Sequence, residues 1–153
     1  MIKLFGAVSH NSAQVSVSYN GAQMSVAGGR ENPTILVVDD DEAVTQTFAQ
    51  MLRSEGFRVR TAIDAESGLA QAVENKPDAI ILDLRMPVVD GLDFLKQLRA
   101  LEGDRRTPVA IVTGDYFLDE HLSAELRQLG AELKFKPLWI EDLISLAHTL
   151  CSR

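Results

Sequence analysis

The 153-residue sequence predicts an α/β fold, a (βα)5 three-layer sandwich around a five-stranded parallel sheet of order 2-1-3-4-5. Three observations predict it. From Pro33 onward, short apolar runs alternate with segments of helical period five times over, the pattern of successive βα units. The first, third and fourth runs are continuously apolar, as strands covered on both faces are. The second and fifth alternate and carry charge, as edge strands do.

Each element has its own signal. Ile35-Leu36-Val37-Val38 is the first strand. Val44, Phe48, Met51 and Leu52 recur at helical spacing and end near Gly56, with Asp41 placed to cap them. Phe57 to Thr61 alternates as a second strand, carrying Arg58 and Arg60. Asp64 caps a helix bearing Leu69, Ala72 and Val73, which stops before Pro77. Ala79-Ile80-Ile81-Leu82 is the third strand, and Asp90 caps a helix striped by Leu92, Leu95 and Leu98. Val109-Ala110-Ile111-Val112 is the fourth strand. Leu118, Leu122, Leu126 and Leu129 stripe a helix ending at Gly130. Ala131 to Phe135 alternates, with Lys134 on a solvated edge. Ile140, Leu143, Ile144 and Ala147 mark the last helix, and Trp139 is expected to cover the core at its start.

Residues 1–32 read differently from residues 33–153. They hold only three charges, Lys3, Arg30 and Glu31, and are rich in Ser, Ala, Gly, Asn, Gln and Val. The start lacks the sustained apolar core of a signal peptide. Val15, Val17 and Tyr19, then Asn20-Gly21, then Ala22, Met24 and Val26 form a hairpin pattern, but an isolated hairpin is marginal in water. A flexible extension ending in the linker Ala27-Gly28-Gly29-Arg30 is the preferred reading. Residues 33–153 make a full small domain.

Composition narrows the function classes. Hydrophobic residues make up 46% and charged residues 24%, which excludes wholesale disorder, a collagen-like fibre and a disulfide scaffold. No apolar run is long enough to span a bilayer. With 15 Lys+Arg against 22 Asp+Glu, the net charge is -7. That balance disfavours direct nucleic-acid or anionic-membrane binding and suits a cation or a basic partner. The single Cys151 reads as a plain thiol and fits a reducing, cytoplasmic setting.

The chemistry collects where the strands end. In a sheet of this order, ligands sit beyond the carboxyl ends at the switch point between the first and third strands. The first strand ends in Asp39-Asp40 and the third in Asp83. Carboxylates brought that close repel and must shift their pKa values or bind a cation. Few carboxylates and no softer ligand suit Mg²⁺, which keeps waters and adds phosphate oxygens. The fourth strand ends in Thr113-Gly114, and the fifth in Lys136-Pro137, a turn that a cis proline would suit. A hydroxyl and an ammonium beside carboxylates and a metal describe a phosphoryl site, with one carboxylate as nucleophile.

These stretches resemble the receiver domain of two-component response regulators, of the chemotaxis-regulator type with a flavodoxin-like fold. The resemblance rests on Ile35 to Asp40, on Ile81 to Pro87 with Asp90-Gly91, on Val112-Thr113-Gly114 and on Lys136-Pro137, in that order along the chain. It implies that Asp83 accepts a phosphoryl group from a phosphohistidine of a sensor histidine kinase or phosphotransfer protein. It implies that Asp40 binds Mg²⁺ directly, Asp39 through water, and Asp83 and the backbone carbonyl of Arg85 complete the protein ligands. Thr113 is implied as the switch hydroxyl, Lys136 as the phosphoryl contact, and Gly91 as the glycine that lets the loop turn. The face of the fourth helix, fifth strand and fifth helix is implied as the docking face for a downstream protein or for a phosphorylation-dependent homodimer.

Some features depart from that pattern or lie outside it. The family often has an aromatic residue three positions before the lysine, where this chain has Leu133. Phe135 is expected on the opposite face of the strand and so not to replace it. Arg85 and Asp115 are expected to form an ion pair across the site. His121 and His148 are read as surface or packing residues. Only three residues follow the last helix, so a stand-alone receiver is expected. The alternative function is a pseudo-receiver that binds a partner without phosphorylation. An aspartyl-phosphate phosphohydrolase is disfavoured because Arg85 stands where its second Asp belongs. A flavin site is disfavoured by the acidic first loop.

Overall fold

A computed structural model describes residues 32–153. The hairpin and linker expected in residues 1–31 lie outside the described residues. Five strands alternate with five helices: β1 Thr34–Val38, α1 Glu42–Ser54, β2 Arg58–Ala62, α2 Ala65–Asn75, β3 Ala79–Asp83, α3 Gly91–Glu102, β4 Val109–Thr113, α4 Glu120–Gln128, β5 Ala131–Phe135 and α5 Ile140–Cys151. All pairings are parallel, and the order is β2-β1-β3-β4-β5, with the two charge-carrying strands at the edges as expected.

Side chains alternate across each strand, so the sheet builds two cores. Leu36, Val38, Ile80, Leu82 and Ile111 point to one face and pack with Phe94, Leu95 and Leu98 of α3 and Leu126 of α4. Ile35, Val37, Ile81, Ala110 and Val112 point to the other, against Phe48 and Leu52 of α1 and Leu143, Leu146 and Leu150 of α5. This two-sided burial is why β1, β3 and β4 read as unbroken apolar runs. Arg58 and Arg60 stay exposed on β2 at one edge.

Capping carboxylates fix where the helices begin. Asp41 accepts from the Ala43 and Val44 amides at 3.0 and 3.3 Å. Asp64 and Asp90 accept from Ser67 and Asp93 at 2.7 and 3.0 Å. Asp119 serves α4 in the same way, accepting from Leu122 at 2.8 Å. Each such bond satisfies an amide that the helix itself leaves unpaired. The α4 stripe therefore begins at Leu122, and Leu118 packs against the core from the preceding loop.

Two expectations are corrected. Trp139 does not cover the core: it is 70% exposed at the N-cap of α5. Leu143 lies in the α1–α5 core and Leu138 packs against it, so these neighbours, not the ring, supply the apolar contact at the start of α5. Phe135 does not oppose Leu133, because residues two apart in a strand share a face. Leu133 packs against the α3–α4 core, while Phe135 reaches the strand end and stacks on Tyr116, their ring centroids 5.5 Å apart.

Candidate functional site

Strand register assembles the site. Val38 pairs with Leu82, so the residues that follow, Asp39 and Asp83, leave adjacent strands side by side. Asp83 pairs with Val112, which places Thr113 one step beyond it on β4. Thr113 pairs with Phe135, and Lys136 follows. The Lys136 amide donates to the Thr113 carbonyl at 2.8 Å, and the Lys136–Pro137 bond is cis.

Asp39, Asp40 and Asp83 each offer a carboxylate oxygen, and the three lie within 4.8 Å of one another. Asp39 and Asp83 are buried, whereas Asp40 faces solvent. Lys136 joins the group, its Nζ donating to Asp39 Oδ2 at 2.8 Å and standing 3.4 Å from Asp83 Oδ1. Asp39 Oδ1 also accepts from the Asp41 amide at 2.9 Å.

These contacts set the electrostatics. Burial, followed by the neighbouring Asp39 charge, pushes Asp83 up to about 6 against the pull of Lys136. For Lys136, burial opposes the ammonium. The Asp39 bond and the charges of Asp83 and Asp39 outweigh it and hold the side chain above the usual lysine range. A buried carboxylate raised in this way is what a divalent cation would relieve. A small all-oxygen set with one ligand open to water fits Mg²⁺, which retains waters and takes up phosphate oxygens.

The loops after β3 and β4 meet over this cluster's side of the sheet. Arg85 Nη2 and Nε donate to Asp115 Oδ2 at 2.6 and 3.1 Å, forming the expected ion pair. The Arg85 bond, and then the Phe117 amide, hold the Asp115 carboxyl below the usual range. The Asp115 amide donates to the hydroxyl of Thr113 at 3.1 Å, so that pair is tied to the buried threonine. Tyr116, which the sequence reading passed over, donates its hydroxyl to the Lys136 carbonyl. The exposed aromatic pair Tyr116-Phe117 directly after a strand was its only signal.

Gly91 acts differently from expectation. Its φ is not positive, and it opens α3. A Cβ there would lie 2.7 Å from the Asp83 carbonyl oxygen and 2.9 Å from Leu84 Cα, while its amide donates to the Leu84 carbonyl at 2.8 Å. Close approach to the Asp83 backbone, not a left-handed turn, requires glycine. The left-handed residue of this loop is the exposed Val88, with φ of 70°. Of the expected site residues, Asp39, Asp40, Asp83 and Lys136 are in one cluster. Thr113 stands at the adjoining strand end, and the side chain of Arg85 turns to Asp115.

Comparison with known proteins gives a consistent picture. The sequence pattern of the response regulator receiver domain matches residues 35–147. The chain is 37% identical over 125 residues to the transcriptional regulatory protein PrrA of Mycobacterium tuberculosis, covering 82% of this chain and 52% of that one. It is 34% identical over 119 residues to the response regulator MprA of a Mycobacterium species, covering 78% and 50%. The chain thus spans about half the length of the curated relatives it matches. Among solved structures, it superposes on the Vibrio cholerae chemotaxis protein CheY4 with a TM-score of 0.71 and 29% identity, covering 78% of this chain and 98% of that one. A receiver domain protein from Clostridium thermocellum gives 0.71 and 31%, covering 79% and 95%. Among the described residues, no helix is long and apolar enough to cross a membrane.

Proposed function

The chain belongs to the response regulator receiver domain family, and on that premise we propose that it is a Mg²⁺-dependent phosphoacceptor switch with Asp83 as the acceptor. The observation that carries this reading is the Asp39–Asp40–Asp83 cluster with Lys136 donating into it.

In the proposed reaction, an Asp83 carboxylate oxygen attacks the phosphorus of a phosphohistidine on a sensor kinase or phosphotransfer protein. The O–P bond forms as the N–P bond breaks, and the departing imidazole nitrogen is protonated from solvent. Asp40 and Asp39, with Asp83 and the Arg85 backbone carbonyl, would hold Mg²⁺, which offsets charge on the phosphoryl oxygens. Lys136 exchanges its present contact with Asp83 for a phosphoryl oxygen, and Thr113 turns its hydroxyl to another. Movement of Thr113 breaks its bond from the Asp115 amide. The α4–β5–α5 face thereby changes for a downstream protein or a homodimer. The receiver is assigned to residues 33–153, with residues 1–32 as an appended segment, and a cytoplasmic setting suits this exchange.

Incubation with Mg²⁺ and acetyl phosphate, followed by intact mass measurement, tests the reading. One acid-labile phosphoryl group is expected, absent when Mg²⁺ is chelated and absent in Asp83→Asn. An unchanged mass with wild-type protein and Mg²⁺ contradicts it and favours a pseudo-receiver.

A further inference from the structure

A groove of about 820 Å³ runs between α2 and α3, reaching Asp40 at one end and the Pro87–Val89 segment. Its origin lies in the packing of α2. That helix meets the sheet through Ala65, Gly68 and Ala72, and a Cβ on Gly68 would already lie 3.0 Å from Val38. The helix core face is satisfied by these small residues. Leu69 and Val73, four apart on α2, and Gln97 and Leu101, four apart on α3, are left to line the trough. Val73 is 45% exposed and Leu101 60%. Ile63 and Val88, also exposed, extend the apolar lining. Leu69 also packs against the core on the α3 side, whereas Ile63, Val73, Val88 and Leu101 belong to neither core.

The rim has one sign of charge. Asp64, Glu66 and Glu74 join Asp40, and no lysine or arginine is present among the described residues that line the groove. An apolar floor with an acidic rim repels anionic lipid and nucleic acid. A second copy, docking through the same patch, would set acidic rim against acidic rim. Residues 1–31 carry only Lys3 and Arg30 as lysine or arginine side chains. The helices forming the walls are 11 and 12 residues long, which gives a trough on the order of three helical turns. An amphipathic helix with an apolar stripe and basic flanks matches both the lining and the charge.

We propose that the α2–α3 groove docks a basic amphipathic helix from a partner protein. The assignment does not depend on phosphorylation of Asp83. It is tested on the full ¹⁵N-labelled chain with three 14-residue helical peptides that share one leucine stripe and carry Lys, Gln or Glu beside it. The Lys peptide is expected to shift amide resonances of α2 and α3, to bind at least tenfold tighter than the Glu peptide, and to weaken with salt. Val73→Gln with Leu101→Gln should weaken it tenfold or more while leaving α1 and α5 resonances in place. Glu66→Lys with Glu74→Lys should reverse the preference toward the Glu peptide. No shift at millimolar peptide, equal binding of all three, or shifts centred away from α2 and α3 would overturn the proposal. So would self-association that the Val73→Gln and Leu101→Gln pair abolishes, since that gives the groove to a second copy.

Discussion

Asp83 carries its charge at a cost, and the cost has a sign that can be measured. Burial and Asp39 raise it from 3.8 to about 6. In the unfolded chain the ordinary value applies. The group's contribution to stability is therefore fully present below pH 3.8 and is lost as pH rises through 6. In metal-free protein, Asp83→Asn should gain about 2–3 kcal/mol in relative stability between pH 3.5 and pH 7, read from urea unfolding at each pH. No pH dependence of the difference would contradict the buried, repelled carboxylate. Arg85 and Asp115 act as a unit, since their ion pair joins the loops following Asp83 and Thr113. Opening it should admit water and shorten the aspartyl-phosphate lifetime by roughly threefold or more. Arg85→Ala, Asp115→Ala and the double variant should then behave alike, because coupled residues are not additive. Unchanged lifetimes would remove the pair from the mechanism. As candidates, Asp39, Asp40, Asp83 and Thr113 were legible because they close apolar runs, and Lys136 because it ends an alternating strand just before a proline. Tyr116 was not, since its partners Phe135 and Lys136 belong to another loop and no spacing announces a contact made across space.

At the scale of elements, the start of α3 is fixed by Gly91 against the backbone of Asp83 and Leu84. Backbone cannot swing aside as a side chain can. Gly91→Ala should therefore cost about 2 kcal/mol in denaturant unfolding and slow phosphorylation of Asp83. The far end of α3 is held by a buried network. Arg99 Nη1 donates to Glu102 Oε1 and the Thr107 carbonyl, both at 2.8 Å, while its Nε donates to the Leu129 carbonyl at 2.8 Å. Glu102 also accepts from the Thr107 amide at 3.1 Å. Glu102→Ala would leave Arg99 buried without its counter-ion, so a loss of about 3 kcal/mol is expected in the same assay with little effect on phosphorylation. Helix starts were readable because Asp41, Asp64 and Asp90 precede apolar periods. The α4 boundary was misread because Leu118 continues the leucine stripe although Asp119 caps the helix after it. Trp139 was misplaced because size suggests burial, while the neighbouring Leu138 and Leu143 make the core contacts.

Across the whole molecule, charge marked the two edge strands, which fits the order β2-β1-β3-β4-β5. β2 and β5 carry charged side chains within the strand, whereas the one charge of β3, Asp83, stands at its carboxyl end, so β2 and β5 are the edges. What did not follow was the groove between α2 and α3, because it arises from how low Ala65, Gly68 and Ala72 let α2 sit. On the proposed function, Mg²⁺ would be a stabilising ligand of the fold, since Asp39, Asp40 and Asp83 come from two chain segments that only folding joins. Mg²⁺ at one hundred times its dissociation constant should stabilise the protein by about 2.7 kcal/mol at pH 7, with a matching rise in Tm that chelation reverses.

The most direct test is chemical. Protein treated with Mg²⁺ and acetyl phosphate is reduced with borohydride, which converts an acyl phosphate to the alcohol, and then digested and sequenced by mass spectrometry. The account predicts homoserine at position 83, with Asp39 and Asp40 unmodified. Homoserine at another aspartate, or none in protein that remains folded and magnesium-loaded, would contradict it.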